Sequence, residues 1–231
     1  MFREEEGERS RVGTAPLPPM AEPGLRERKK RRTREAILKA AFAMFAESGF
    51  DRVPVADIAA AAEVSKPTLF AYFPTKEDLV LHRFAEQEGE PADIVRDRAP
   101  GVSPIAALRR RFLDGLDRRD ILTGLNDTPE ALVFHNLLYS TPSLLARLSG
   151  YMLRAEAALA DALAETGAAG EDIAVRVAAA HVFGTQRVLA DRNARDMRAG
   201  LRADDVLPEA IARAETAFDM LEHGLADRFG S

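Results

Sequence analysis

Residues 51–79, DRVPVADIAAAAEVSKPTLFAYFPTKEDL, leave the chain little freedom in how it folds. Val55, Ile58, Ala59 and Ala62 recur at helical spacing and predict a short helix over 55–62. Ser65 then offers a capping hydroxyl, and Pro67 fits the first turn of a following helix, where its missing N–H has no intrahelical partner. That helix runs over 66–73 and stops at Pro74. Thr75 with Asp78 has the shape of a capping box for the next helix, with Asp where Glu or Gln is usual. Two short helices joined by a tight turn, with a third element starting directly after, is the layout of a helix-turn-helix.

One helix upstream lies a basic run, RERKKRRTR at 26–34. It holds Arg26, Arg28, Lys29, Lys30, Arg31, Arg32 and Arg34 against the single acid Glu27. The whole chain carries a net charge of −5. An acidic body with one concentrated basic arm binds phosphates locally and discourages non-specific coating. Taken alone, such a run is also compatible with a solvated tail. The first helix of the head is predicted to start near Thr33, with Ile37, Ala41, Met44 and Phe45 on its inner face and Gly49 beyond its end. Residues 1–24 mix charge, Gly and Pro with little apolar material and are expected to be disordered.

The remaining two thirds of the chain reads as helix. Ser103-Pro104, Thr128-Pro129 and Thr141-Pro142 each set a capping hydroxyl before a proline at the first helical position. They predict helices over about 104–119, 129–140 and 142–165. Two more are predicted over about 171–196 and 205–227, and Pro91, Pro100 and Gly101 mark a looser connection after the helix that begins at Lys76. The fold class is therefore all-α: an N-terminal three-helix DNA-binding head at 25–84 and a larger helical body at 85–231.

The run V-x-D-I-A-x-x-A-x-V-S-x-x-T-L-F-x-Y-F-P-x-K-E-D-L, from Val55 to Leu79, resembles the DNA-binding head of the TetR family of bacterial transcription regulators. The match covers about residues 32–84; the body resembles the family only in length and helical pattern. The resemblance implies a homodimer on a palindromic double-stranded operator, with repression relieved by a small-molecule inducer. It implies that Lys66, Pro67, Phe70 and Ala71 face bases, and that Thr68, Tyr72 and Lys76 hold phosphates. Arg31 and Arg32 of the arm add further DNA contacts. Two positions depart from the family pattern. Glu63 occupies the turn where Gly is frequent, and Pro54 stands where Ser or Thr commonly caps the second helix.

Contact chemistry sharpens this expectation. Ala71 cannot hydrogen-bond, and Pro67 and Phe70 offer only apolar surface suited to thymine methyls. Lys66 alone can reach guanine O6 and N7. The operator is expected to hold one important guanine per half-site among thymine-rich positions.

In the body, Phe112, Phe134, His135, Tyr139, Tyr151, Met152 and His181 are the candidate lining of a ligand cavity, although an aromatic on an apolar helix face is more often plain core. Ile173, Val177, Ala180 and Gly184 form one stripe suited to a subunit interface. Ala214, Ala217, Phe218, Leu221 and Leu225 form a second, unless these stripes pack only on their own subunit.

Other classes fare less well. There is no G-x-S-x-G, H-E-x-x-H or glycine-rich phosphate loop. His82, His135, His181 and His223 show no metal-ligand spacing, and the chain has no cysteine, so no cofactor and no metal are expected. No window approaches the roughly 18 apolar residues of a membrane span, and the start of the chain lacks a signal-peptide core, so a cytoplasmic location is expected. The competing reading is a helical small-molecule-binding protein that has lost DNA binding.

Overall fold

The computed structural model describes residues 24–167 and 172–224, so the expected disorder before Gly24 concerns residues outside the description. Among the described residues all regular structure is helical. The head comprises α1 (Leu25–Ser48), α2 (Val55–Ala61) and α3 (Lys66–Tyr72), and α4 (Lys76–Glu86) leads into the body. The body contains α5 (Glu90–Arg96), α6 (Pro104–Asp117), a 3-10 turn (Ile121–Thr123), α7 (Pro129–Ser140), α8 (Pro142–Ala164), α9 (Asp172–Arg198) and α10 (Ala203–His223).

The first helix starts eight residues before the expected Thr33, at Leu25. Arg and Lys are good helix formers, and no Gly or Pro interrupts 25–48, so the basic run continues the helix. The second correction concerns Pro91. It sits in the first turn of α5, where a proline is tolerated, and Ala92 and Val95 bury themselves beneath it. Only Pro100-Gly101 remains as a loose connection, with Gly101 at φ +82°. Ser103 and Thr128 cap α6 and α7 by accepting from Ala106 N–H (3.0 Å) and Ala131 N–H (3.3 Å). Thr141 makes no such bond, because it is buried and closes α7 while opening α8.

Two apolar cores result. Ile37, Ala41 and Phe45 of α1 meet Ile58 of α2, Leu69 of α3, Phe73 just past its end, and Leu79–Leu81 of α4. This core does not stop at the head: Phe134, Leu137 and Leu138 of α7 and Leu144 and Tyr151 of α8 belong to it. The second core joins α5, α6, the later part of α8, α9 and α10.

Gly124 is where the loop after the 3-10 turn presses on α9. Its φ is +75°, and a Cβ there would lie 2.0 Å from the Ala190 carbonyl oxygen, so only glycine fits. Buried Asn193 holds the same loop by donating from Nδ2 to the Thr123 carbonyl at 2.9 Å.

The two expected interface stripes part company. On α9, Ile173 is 61% and Val177 43% exposed, with Val188 at 57% further along the helix. On α10, Ala214 and Phe218 are fully buried, and Phe218 stacks against Phe112 of α6 at 5.9 Å between ring centroids. Ala217 and Leu221 pack on the same core. The α10 stripe therefore covers its own subunit, while Leu225 lies outside the described residues.

Candidate nucleic-acid interface and ligand cavity

Helix α3 is fixed from both sides. Ser65 Oγ accepts from Thr68 N–H at 3.2 Å and lies 2.7 Å from the Thr68 hydroxyl. Leu69 and Phe73, four residues apart, point into the core and are at most 2% exposed. The opposite face carries Lys66, Pro67, Phe70 and Ala71, all exposed. Its composition is one ammonium, one ring, one pyrrolidine and one methyl, and the Lys66 Nζ lies 5.9 Å from the Phe70 ring centroid. Thr68 and Tyr72 are half-buried at the flanks.

Both departures in the α2–α3 region have visible consequences. Glu63 takes a left-handed φ of +55°, which a side chain tolerates at a cost. The turn is secured by Glu63 N–H to the Ala60 carbonyl (3.0 Å) and Val64 N–H to the Ala59 carbonyl (2.9 Å). Pro54 opens α2 with no side-chain cap.

Lys76 is placed differently from its expected phosphate role. Its ammonium donates to the Phe50 carbonyl and lies 4.5 Å from the Phe50 ring centroid and 5.7 Å from that of Phe45. Burial lowers its pKa, with the charges of Asp51 and Glu77 opposing. The ammonium is thus occupied in tying the loop after α1 to the start of α4. The neighbouring backbone is occupied too: Thr75 N–H donates to Asp78 Oδ2 at 3.1 Å, and Asp78 N–H to Thr75 Oγ1 at 3.2 Å, completing the capping box.

Arg31 and Arg32 lie on the exposed first turns of α1, and Arg31 faces Glu35 at 3.6 Å. At about 100° per residue a helix carries consecutive basic residues around its whole circumference. The arm is a cationic rod, with Arg34 at its base bound to Glu86 (2.5 Å) and stacked over Phe73.

The body encloses a cavity of about 610 Å³ between α4, α5, α6, the 3-10 turn, α7, α8 and α9. Phe112, Phe134, His135, Tyr139, Tyr151 and Met152 line it, as do Phe183 and Gln186. His181 does not: it lies on the exposed side of α9, one residue and about 100° from inward-facing Val182. Sequence reasoning missed the ionic wall, where Arg111 forks onto Glu90 (2.7 and 3.1 Å) and reaches Asp120 (3.2 Å).

His135 is 1% exposed and neither ring nitrogen has a hydrogen-bond partner. Burial drives its pKa down to about 4; the Ile121 backbone opposes this without completing a hydrogen bond, and the Arg198 charge adds to the lowering. Tyr139 is pushed up to about 12, by burial first and then by Asp191, so it too stays neutral.

Asp78 forms the expected capping box, but its contacts with Arg147 and Tyr151 escaped the sequence reading. Burial alone would raise its pKa, but hydrogen bonds from Arg147, Tyr151 and Thr75 hold it below the usual carboxylate range. At the far end of α10, the exposed group Asp219, Glu222 and His223 is partly offset by Arg109, which bonds Asp219 at 2.7 Å and Glu222 at 3.3 Å and also pairs with Glu215. No helix of the described residues is long and apolar enough to cross a membrane.

Residues 37–82 match the family described as bacterial regulatory proteins, tetR family. The chain is 34% identical over 136 residues to the HTH-type transcriptional regulator TcmR of Streptomyces glaucescens, a match covering 58% of each chain. It is 30% identical over 101 residues to the HTH-type transcriptional repressor KstR of Rhodococcus jostii (strain RHA1), covering 44% of this chain and 47% of that one. The chain thus matches about half the length of these relatives. NalD, the secondary repressor of the MexAB-OprM multidrug efflux pump in Pseudomonas aeruginosa, shares the fold: TM-score 0.54, 17% identity, 87% of this chain and all of that one.

Proposed function

We propose that this chain, which belongs to the tetR family of bacterial regulatory proteins, is a ligand-responsive repressor rather than an enzyme. It acts in the cytoplasm as a homodimer on a palindromic operator. The observation that carries this reading is the exposed face of α3, where Lys66, Pro67, Phe70 and Ala71 stand clear of a helix anchored by Leu69 and Phe73. Lys66 supplies the one direct hydrogen bond to a guanine, and its neighbours supply apolar contacts. Thr68, Tyr72, Arg31 and Arg32 contact phosphates, and the rod of α1 extends that contact beyond the reading helix. The uncovered stripe of α9, from Ile173 through Val188, packs against its copy in the partner.

The cavity takes an inducer that is mostly apolar and uncharged. Its volume is that of a drug-sized site. Neutral His135 has one donor and one acceptor idle, which suits a hydroxyl or carbonyl oxygen. Inducer favours a body conformation in which α4 tilts, and the two reading helices no longer span successive major grooves about 34 Å apart.

Selecting bound fragments from the source genome, followed by footprinting at moderate salt, tests the reading. A protected palindrome is the expected result. A folded dimer that enriches no fragment above background overturns it. The reading without DNA binding, to which the inward Lys76 and the uncapped α2 lend support, would then stand.

A further inference from the structure

Tyr151 sits where the cavity, α8 and α4 meet. Its ring lines the cavity, and its hydroxyl donates to Asp78 Oδ1 at 2.8 Å. Two arginines on the same face of α8, four residues before and three after, lie against the ring. The Arg147 guanidinium carbon is 5.3 Å and that of Arg154 4.8 Å from its centroid. Each grips one end of α4. Arg147 bonds Asp78, in the first turn, at 3.0 and 3.2 Å. Arg154 forks onto Glu88, just past the last turn, at 2.8 Å through both nitrogens. Asp78 is 4% exposed and is also the carboxylate of the capping box that starts α4. Between that box and the reading helix lie only Phe73 and Pro74.

We propose that Tyr151 is the positioning residue that transmits cavity occupancy to α4, through its hydrogen bond to Asp78 and its packing between Arg147 and Arg154. This rests on the reading of the cavity as the ligand site. A molecule that displaces the phenol leaves a buried carboxylate short of one donor, and water has little access to replace it. The two arginines lose the ring that spaces them. The first turn of α4 loosens, and the end of α3 with it.

The test uses the full chain and N-phenyl-1-naphthylamine, an uncharged apolar fluorophore whose emission reports its own binding. Amide exchange is followed at Leu79, Val80 and Leu81, buried residues of α4. The probe should speed exchange there by about fivefold or more in the native protein. Tyr151→Phe keeps the ring and loses the hydroxyl. It should bind the probe within about threefold of the native protein, show fast exchange already, and respond no further. Arg96→Gln, which removes a surface ion pair with Glu165 away from the cavity, should respond like the native protein. Equal acceleration in the native protein and Tyr151→Phe would overturn the coupling, as would probe binding that leaves α4 unchanged; in both cases the cavity would stand as a ligand site. A probe that does not bind at all would remove the ligand-site reading and the coupling together.

Discussion

The head and the body handle buried space in opposite ways. In the head, Ile37, Ile58, Leu69 and Leu79 are fully buried, and both Ser65 and Thr75 complete their caps. A reading surface must hold its side chains in fixed register, and close packing supplies that rigidity. In the body, aromatic side chains surround a cavity of about 610 Å³, and His135 is buried without a partner. Loose walls and a buried imidazole without a protein partner both weaken local packing, and both suit an occupant that fills the one and bonds the other. The contrast is of rigid closure beneath the proposed reading surface and incomplete closure around the proposed ligand site.

The largest expected effect comes from comparing the two packings directly. Leu69→Ala, in the closed core, should lower unfolding free energy by about 3–4 kcal/mol, while Met152→Ala, at the cavity wall, should cost only about 1 kcal/mol. Urea denaturation of the two variants decides it, and equal losses would end the comparison.

Next in size is the pH response of His135. Its folded pKa, about 4, lies below the ordinary 6.5, so the unfolded chain takes up the proton first. Its contribution is full above about pH 6.5 and is lost as pH falls toward 4, amounting to about 2 kcal/mol by pH 5. His135→Phe should flatten the stability profile across that window. A profile as steep as that of the native protein would mean the imidazole is not held neutral.

Smaller again is Lys76. If its ammonium serves the Phe50 carbonyl, Lys76→Met should reduce stability by about 1 kcal/mol and leave the salt dependence of operator binding unaltered. A salt slope reduced by about one would restore Lys76 to the phosphate contacts. The smallest effect is expected at the turn: Glu63→Gly should stabilise the head by about 0.5–1 kcal/mol by relieving the left-handed φ, seen as a higher denaturation midpoint.

Legibility from sequence followed the range of the signal. The hydroxyl-proline pairs at Ser103 and Thr128 are local, and α6 and α7 begin where they predict. The head was readable for the same reason, since Ser65, Thr75 and the Leu69–Phe73 spacing act within one or two turns. The start of α1 was less legible, because the basic run was taken as an arm preceding a helix from Thr33, although Arg and Lys are good helix formers. Pro91 misled because a proline ends one helix and starts another with equal ease.

In the body, periodicity told which residues share a face but not what that face meets. His181 and Val182 are neighbours about 100° apart on α9, one exposed and one buried, and Ala214 and Phe218 form the same stripe whether they cover their own core or a partner. Asp78 and Tyr151 are far apart in the chain and carry no local mark of their contact. The spacing of Arg147, Tyr151 and Arg154 along one face of α8 was the only available hint.

The central claim is that Lys66 reads a guanine from an otherwise apolar face. Its most direct test is the affinity of the native protein and of Lys66→Ala for the selected operator, with the half-site guanine kept or changed to adenine. The account predicts that the base change weakens native binding by roughly 10–100-fold per half-site and leaves Lys66→Ala nearly indifferent. The same penalty in both proteins would contradict it.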